Sequence, residues 1–230
     1  LANRFYNCDM LLDQNFFPDA EDRYKDLVQS RCKLLLGPKY ALLRKEFSNE
    51  SVTLRTSKIN KVLVYFGGSN VEDNILKTLK GIKLSKYDNL NVDVIIGKDS
   101  IRKREIINFS SNMKNVVIYD YVDNMAKMMI NSDLYIGSAG TTTWERCCSG
   151  LPSIVVGIAQ NQIEPMQSMQ EAGFSLFLGS EEKVSPEDIS QKLNYFLDNP
   201  MALKTMSKRN LELVDGKGAH RCAGEILTNM

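Results

Sequence analysis

The sequence predicts an α/β protein built on a doubly wound parallel sheet. Three observations carry that prediction. From residue 61 onward, apolar strand patterns alternate with helical ones. The strands read as near-continuous apolar runs, as expected where helices cover both faces of a parallel sheet. Two of the strands end in small-residue turns that open into helices, Gly67-Gly68-Ser69-Asn70 and Gly137-Ser138-Ala139-Gly140. About six such strands fit one doubly wound unit.

The elements follow in chain order. Cys8 to Asp13 and Cys32 to Gly37 read as two short strands joined by a polar segment. Two short strands with one connection do not close a core. Residues 1–47 are therefore expected to be the C-terminal part of an incomplete first domain, and the polar, aperiodic stretch 48–60 a linker. Residues 61–230 form the second domain. Its strands are predicted at 61–66, 92–96, 115–119, 133–137, 152–158 and 174–178, with helices between most of them, one over 71–80. Ser185-Pro186-Glu187-Asp188 supplies an N-cap, a proline at the first helical position and two acids in the first turn of a helix reaching about Asp198. Two more helices are expected near 201–214 and 218–229.

Composition bounds the function. The chain has 230 residues, 43% of them hydrophobic, enough to build a core. Its 29 basic and 28 acidic residues leave a net charge of +1, so no overall basic field points to nucleic acid or an acidic membrane. The apolar runs are too short to span a bilayer and no signal segment opens the sequence, so membrane insertion is not expected and a cytoplasmic location is. The five cysteines include no CxxC pair, and neighbours Cys147 and Cys148 point about 100° apart on a helix, which favours reduced, buried thiols over a disulfide or a metal site. No cofactor and no metal are expected. Composition leaves the oligomeric state open.

The chemistry concentrates at the two turns. The first N–H groups of a helix lack intrahelical partners, its dipole is positive there, and small residues let phosphate oxygens approach the main chain. Hydroxyls of Ser138, Thr141, Thr142 and Thr143 add donors, and the Glu145 carboxylate can accept hydrogen bonds from a sugar diol. Neither turn is a GxGxxG or a Walker sequence. Plainer readings stand beside these: a glycine turn serving only its backbone angles, Glu145 answering the helix dipole, Trp144 and the Met125, Met128, Met129 group packing the core, and Arg102-Lys103-Arg104 a solvated face.

Phe66-Gly67-Gly68-Ser69, Asp123-Asn124-Met125-Ala126, the run Gly140 to Pro152 and Asn161-Gln162 together resemble the UDP-sugar hydrolases of pseudaminic acid biosynthesis. Gly37-Pro38-Lys39-Tyr40-Ala41-Leu42-Leu43-Arg44 is similar to the middle of those enzymes. More distantly, the second half is similar to the peptidoglycan N-acetylglucosaminyltransferases, which share the two-domain GT-B fold. The resemblance implies a GT-B-like architecture and a UDP-sugar substrate, with release of UDP and a free 2,4-diacetamido-2,4,6-trideoxy sugar. It implies that Gly67, Gly68 and Ser69 contact the diphosphate, that Tyr121 and Val122 flank the uracil, that Ser138, Ala139, Gly140, Thr141 and Thr142 hold the phosphates, and that Glu145 takes the ribose hydroxyls. Asn161, implied as catalytic, and Gln162 approach the sugar or the attacking water.

One departure bears on catalysis. The family's first domain begins with a GxGHxxR loop whose histidine is its general base; this sequence has no such loop, and its single histidine is His220. The chain by itself is therefore expected to bind UDP and to hydrolyse the sugar nucleotide poorly. A UDP-sugar-dependent transferase and a non-catalytic UDP-sugar-binding module are the alternatives.

Overall fold

In a computed structural model, residues 3–49, 52–55, 58–68, 71–87, 89–98 and 100–228 are described. Two strands open the chain, β1 (Met10–Asp13) and β2 (Lys33–Leu36), and they pair in parallel. The thiols of Cys8 and Cys32 meet at 3.7 Å just before the paired segment. Between the strands lies a short helix, α1 (Ala20–Tyr24), which the residue pattern does not announce. Tyr24 is buried and its hydroxyl donates to Asp13 at the end of β1.

Six strands then form a second sheet: β3 (Lys61–Tyr65), β4 (Asn91–Ile95), β5 (Val116–Tyr119), β6 (Leu134–Ser138), β7 (Ser153–Gly157) and β8 (Leu176–Ser180). All five pairings are parallel, in the order β5-β4-β3-β6-β7-β8. The chain thus adopts the doubly wound parallel sheet that its sequence predicts. Alternation of side chains along each strand divides the interior in two. Val62 and Val64 of β3 face one core with Ile75, Leu79, Ile106 and Leu193, whereas Leu63 faces the other with Met129, Tyr135, Trp144 and Val155. Helices α3 (Glu72–Leu84), α4 (Lys103–Ser110) and α8 (Pro186–Asp198) cover the first face. On the second face lie α5 (Met125–Ile130), α6 (Thr142–Cys148) and α7 (Ile163–Glu171). Trp144, Met125 and Met129 are core residues there and Met128 packs partly buried against them, in line with the plainer readings of these residues.

The remaining helices are α2 (Glu46–Asn49), α9 (Pro200–Leu213) and α10 (Gly218–Thr228). Ser185 caps α8 as expected: its Oγ accepts the Asp188 amide at 3.1 Å and Asp188 accepts the Ser185 amide at 2.9 Å. Strand β8 starts two residues later than the apolar pattern indicates. Phe174 still bonds back to Met169 at the end of α7, so pairing with β7 begins only at Leu176.

The polar stretch before β3 is anchored to the larger sheet and its helices through Arg55. Its guanidinium is buried and donates to the carbonyls of Met129 and Ile130 at the end of α5, of Ser132, and of Ser149 after α6. The Asp133 carboxylate accepts the amides of Asn60 and Lys61 at 2.8 and 2.9 Å, which fixes the entry into β3. Among the described residues, no helix is long and apolar enough to cross a membrane.

Candidate nucleotide site

The strand order reverses direction between β3 and β6, and a doubly wound sheet opens a crevice at the carboxyl ends of the strands at such a point. Both small-residue turns leave the sheet there. Gly67 lies just after β3, and Ser138 is the last residue of β6. The two are tied directly: the Gly67 amide donates to Ser138 Oγ at 3.0 Å. Gly68 and Gly140 have φ of +119° and +114°, a region that side chains with a Cβ rarely enter, so both turns need glycine there.

Beside the turns lies a cleft of about 360 Å³ lined by Arg44, Tyr65, Ile95, Gly97, Asp120, Tyr121, Val122, Met125, Thr141, Thr142 and Glu145. Two larger grooves, each about 570 Å³, run between the 16–22 and 36–39 segments and α9, and across α7, α8 and α9. Neither is lined by residues flanking the two turns, whereas the smaller cleft is lined by Tyr65, two residues before the first, and by Thr141 and Thr142, directly after the second, so position selects it.

Five predicted residues meet in that cleft: Tyr121, Val122, Thr141, Thr142 and Glu145. Tyr121 is 61% exposed, with the Lys98 ammonium 4.6 Å from its ring centroid. Glu145 lies in the first turn of α6, and its side chain is only 13% exposed. Burial pushes its carboxyl above the ordinary glutamate range, and the neighbouring Arg44 guanidinium opposes that shift. Arg44 Nη2 stands 3.1 Å from Glu145 Oε1 and 3.1 Å from Glu46 Oε1. Glu46 in turn accepts the Met125 amide at 3.2 Å.

Among the described residues, the other predicted ones do not line that cleft. Ser138 is fully buried with its hydroxyl engaged by Gly67, while Ala139 is buried beside it. Gly140 faces Gln162, whose Nε2 lies 3.8 Å from where a Cβ on Gly140 would stand. Gln162 Oε1 accepts the Ile158 amide at 3.0 Å, and Gly68 approaches the same loop at Ile158. Asn161 is exposed on the 3-10 turn Gln160–Gln162. Ser69 lies outside the described residues. His220 is exposed on α10 and does not line the cleft.

Arg44 is the functional candidate that residue patterns did not single out. It sits in the Gly37 to Arg44 segment, but its partner Glu145 is 101 residues away, and no local pattern encodes that contact. Among the described residues, no three His, Cys, Asp or Glu side chains gather as a metal set.

Residues 62–221 match the glycosyltransferase family 28 C-terminal domain. The chain is 25% identical over 202 residues to the spore coat polysaccharide biosynthesis protein SpsG of Bacillus subtilis, covering 86% of this chain and 59% of that protein. It is 26% identical over 136 residues to the UDP-2,4-diacetamido-2,4,6-trideoxy-beta-L-altropyranose hydrolase of Campylobacter jejuni, covering 59% of this chain and 47% of that one. The crystal structure of Acinetobacter baumannii MurG superposes with a TM-score of 0.69 at 13% identity, over 91% of this chain and 62% of that chain. The chain thus spans about half the length of these curated relatives, and its fold is GT-B-like. It belongs to the glycosyltransferase family 28 C-terminal domain family.

Proposed function

We propose that this family 28 C-terminal domain is the UDP-sugar-binding half of a nucleotide-sugar hydrolase acting on a 2,4-diacetamido-2,4,6-trideoxy sugar. The observation that carries the UDP reading is the cleft at the switch point, where a largely buried carboxylate, Glu145, faces Thr141, Thr142, Tyr121 and Val122. In this reading Tyr121 and the Val122 main chain take the uracil, and Glu145 accepts the ribose hydroxyls. The turns at Gly67 to Ser69 and Ser138 to Thr142 hold the diphosphate through main-chain N–H groups. Such preorganised donors stabilise the charge that grows on a departing pyrophosphate as water attacks the anomeric carbon. Arg44 adds a cation beside Glu145 at the ribose end. Asn161 and Gln162 face the sugar, and residues 1–47 belong to the first domain of the pair.

The hydrolase reading draws on the Gly140 to Pro152 run and on the likeness to the Campylobacter jejuni enzyme. The family match favours a second reading, a UDP-sugar-dependent transferase with the same donor site and an alcohol in place of water. Measuring UDP release from the diacetamido sugar nucleotide with and without added alcohol acceptors separates them. Release that proceeds unchanged without an acceptor supports the hydrolase. Release that requires one contradicts it.

A further inference from the structure

Tyr135 is fully buried near the start of β6, yet its hydroxyl reaches the far end of the sheet. The phenol donates to Tyr65 O at 2.5 Å and lies 3.2 Å from Ser138 O. These carbonyls belong to the last residues of β3 and β6: Tyr65 stands two residues before Gly67, and Ser138 lies within the second turn. Gly137 leaves the space: a Cβ there would stand 1.8 Å from Tyr65 O and 2.5 Å from the Tyr135 hydroxyl oxygen.

The ring is held from behind by Arg146, whose guanidinium lies 4.8 Å from the ring centroid and is itself fully buried. Arg146 donates to Thr143 Oγ1 at 3.1 Å and to Ser153 Oγ. Burial pushes the Tyr135 phenol up, so it remains a neutral donor across the physiological range. A second tie between the same two turns is the 3.0 Å bond from the Gly67 amide to Ser138 Oγ.

We propose that the Tyr135 hydroxyl is a positioning group that fixes the spacing of the two turns so that one diphosphate bridges both. The proposal rests on the reading of the cleft as a UDP site. A ligand with two phosphates depends on that spacing, because preorganised donors spare it the ordering that binding otherwise requires. A ligand with one phosphate engages one turn and does not.

The test is Tyr135→Phe in the 230-residue chain, with UDP, UMP and uridine titrated by calorimetry. The expected result is UDP affinity lowered about tenfold with UMP and uridine within about twofold of the parent. An equal loss for all three ligands, or none for UDP, overturns the proposal, since a merely structural role does not discriminate between one phosphate and two. If Tyr135→Phe does not fold, Ser138→Ala removes the second tie; because Ser138 also belongs to a turn assigned to the phosphates, its readout is the ratio, with UDP affinity expected to fall more than UMP affinity and an equal loss for both, or none for UDP, overturning the proposal. A parent chain that binds no UDP sinks the reading of the cleft, and the proposal with it. A parent that binds UDP while the variants lose nothing sinks the proposal alone.

Discussion

Glu145 is where sequence, burial and charge meet most closely. Its carboxylate is largely removed from water and shares the Arg44 guanidinium with Glu46. Replacing it with alanine should weaken UDP binding by about 1.5–3 kcal/mol, the worth of hydrogen bonds to a charged group. The melting temperature should change little, because Arg44 retains Glu46; unchanged UDP affinity with a clear drop in melting temperature would make the residue structural. Its raised carboxyl pKa has two consequences of opposite sign. The folded chain holds the Glu145 proton more tightly than the unfolded chain, so this group's contribution to stability falls as pH rises from the ordinary glutamate value of about 4.3 through the raised folded value. UDP affinity should rise across that window, because in the proposed site it is the ionised form that accepts the ribose hydroxyls. Titrating UDP affinity and thermal stability against pH for the parent and Glu145→Gln checks both, and the variant should flatten both profiles. Thr141, Thr142 and Glu145 were legible in the sequence because a strand, a small turn and a first helical turn are local signals. Arg44 was not, because its role depends on a contact between distant segments.

At the scale of elements, strands that pack on both faces carry the strongest sequence signal, and β3, β4 and β7 appear where their apolar runs place them. Short elements do not. Helix α1 has five residues, too few for a period to show, and it is held through Tyr24 and Asp13. Arg55 was hidden by its polar surroundings, since a basic residue in a polar stretch reads as solvated. The structure instead uses it to donate to carbonyls where α5 ends and just after α6. Burial lowers its pKa to about 10, which leaves it charged at neutral pH. Arg55→Met should cost about 3 kcal/mol or more, because the carbonyls of Ile130, Ser132 and Ser149 lose their guanidinium donor while Met129 O keeps the Ser132 amide. Chemical denaturation measures that loss, and a variant as stable as the parent would show that water replaces the guanidinium.

At the scale of the molecule, the strand order brings the two turns together: β3 and β6 are adjacent in the sheet but 73 residues apart at their first residues, Lys61 and Leu134. The alternating pattern made the parallel sheet legible, and the neighbourhood of the turns followed from its topology. The contacts of residues 1–47 with the helices of the larger sheet, such as Arg23 with Glu164 of α7 at 3.0 Å, were not legible, because single surface charges carry no pairing code. We propose that the cleft beside these turns takes a uridine nucleotide. Calorimetric titration of the chain with UDP and with ADP tests it most directly. UDP should bind at least about tenfold more tightly than ADP, a difference of about 1.4 kcal/mol, and Glu145→Ala should remove most of the UDP affinity. Equal affinity for UDP and ADP, or no binding of either, would contradict it.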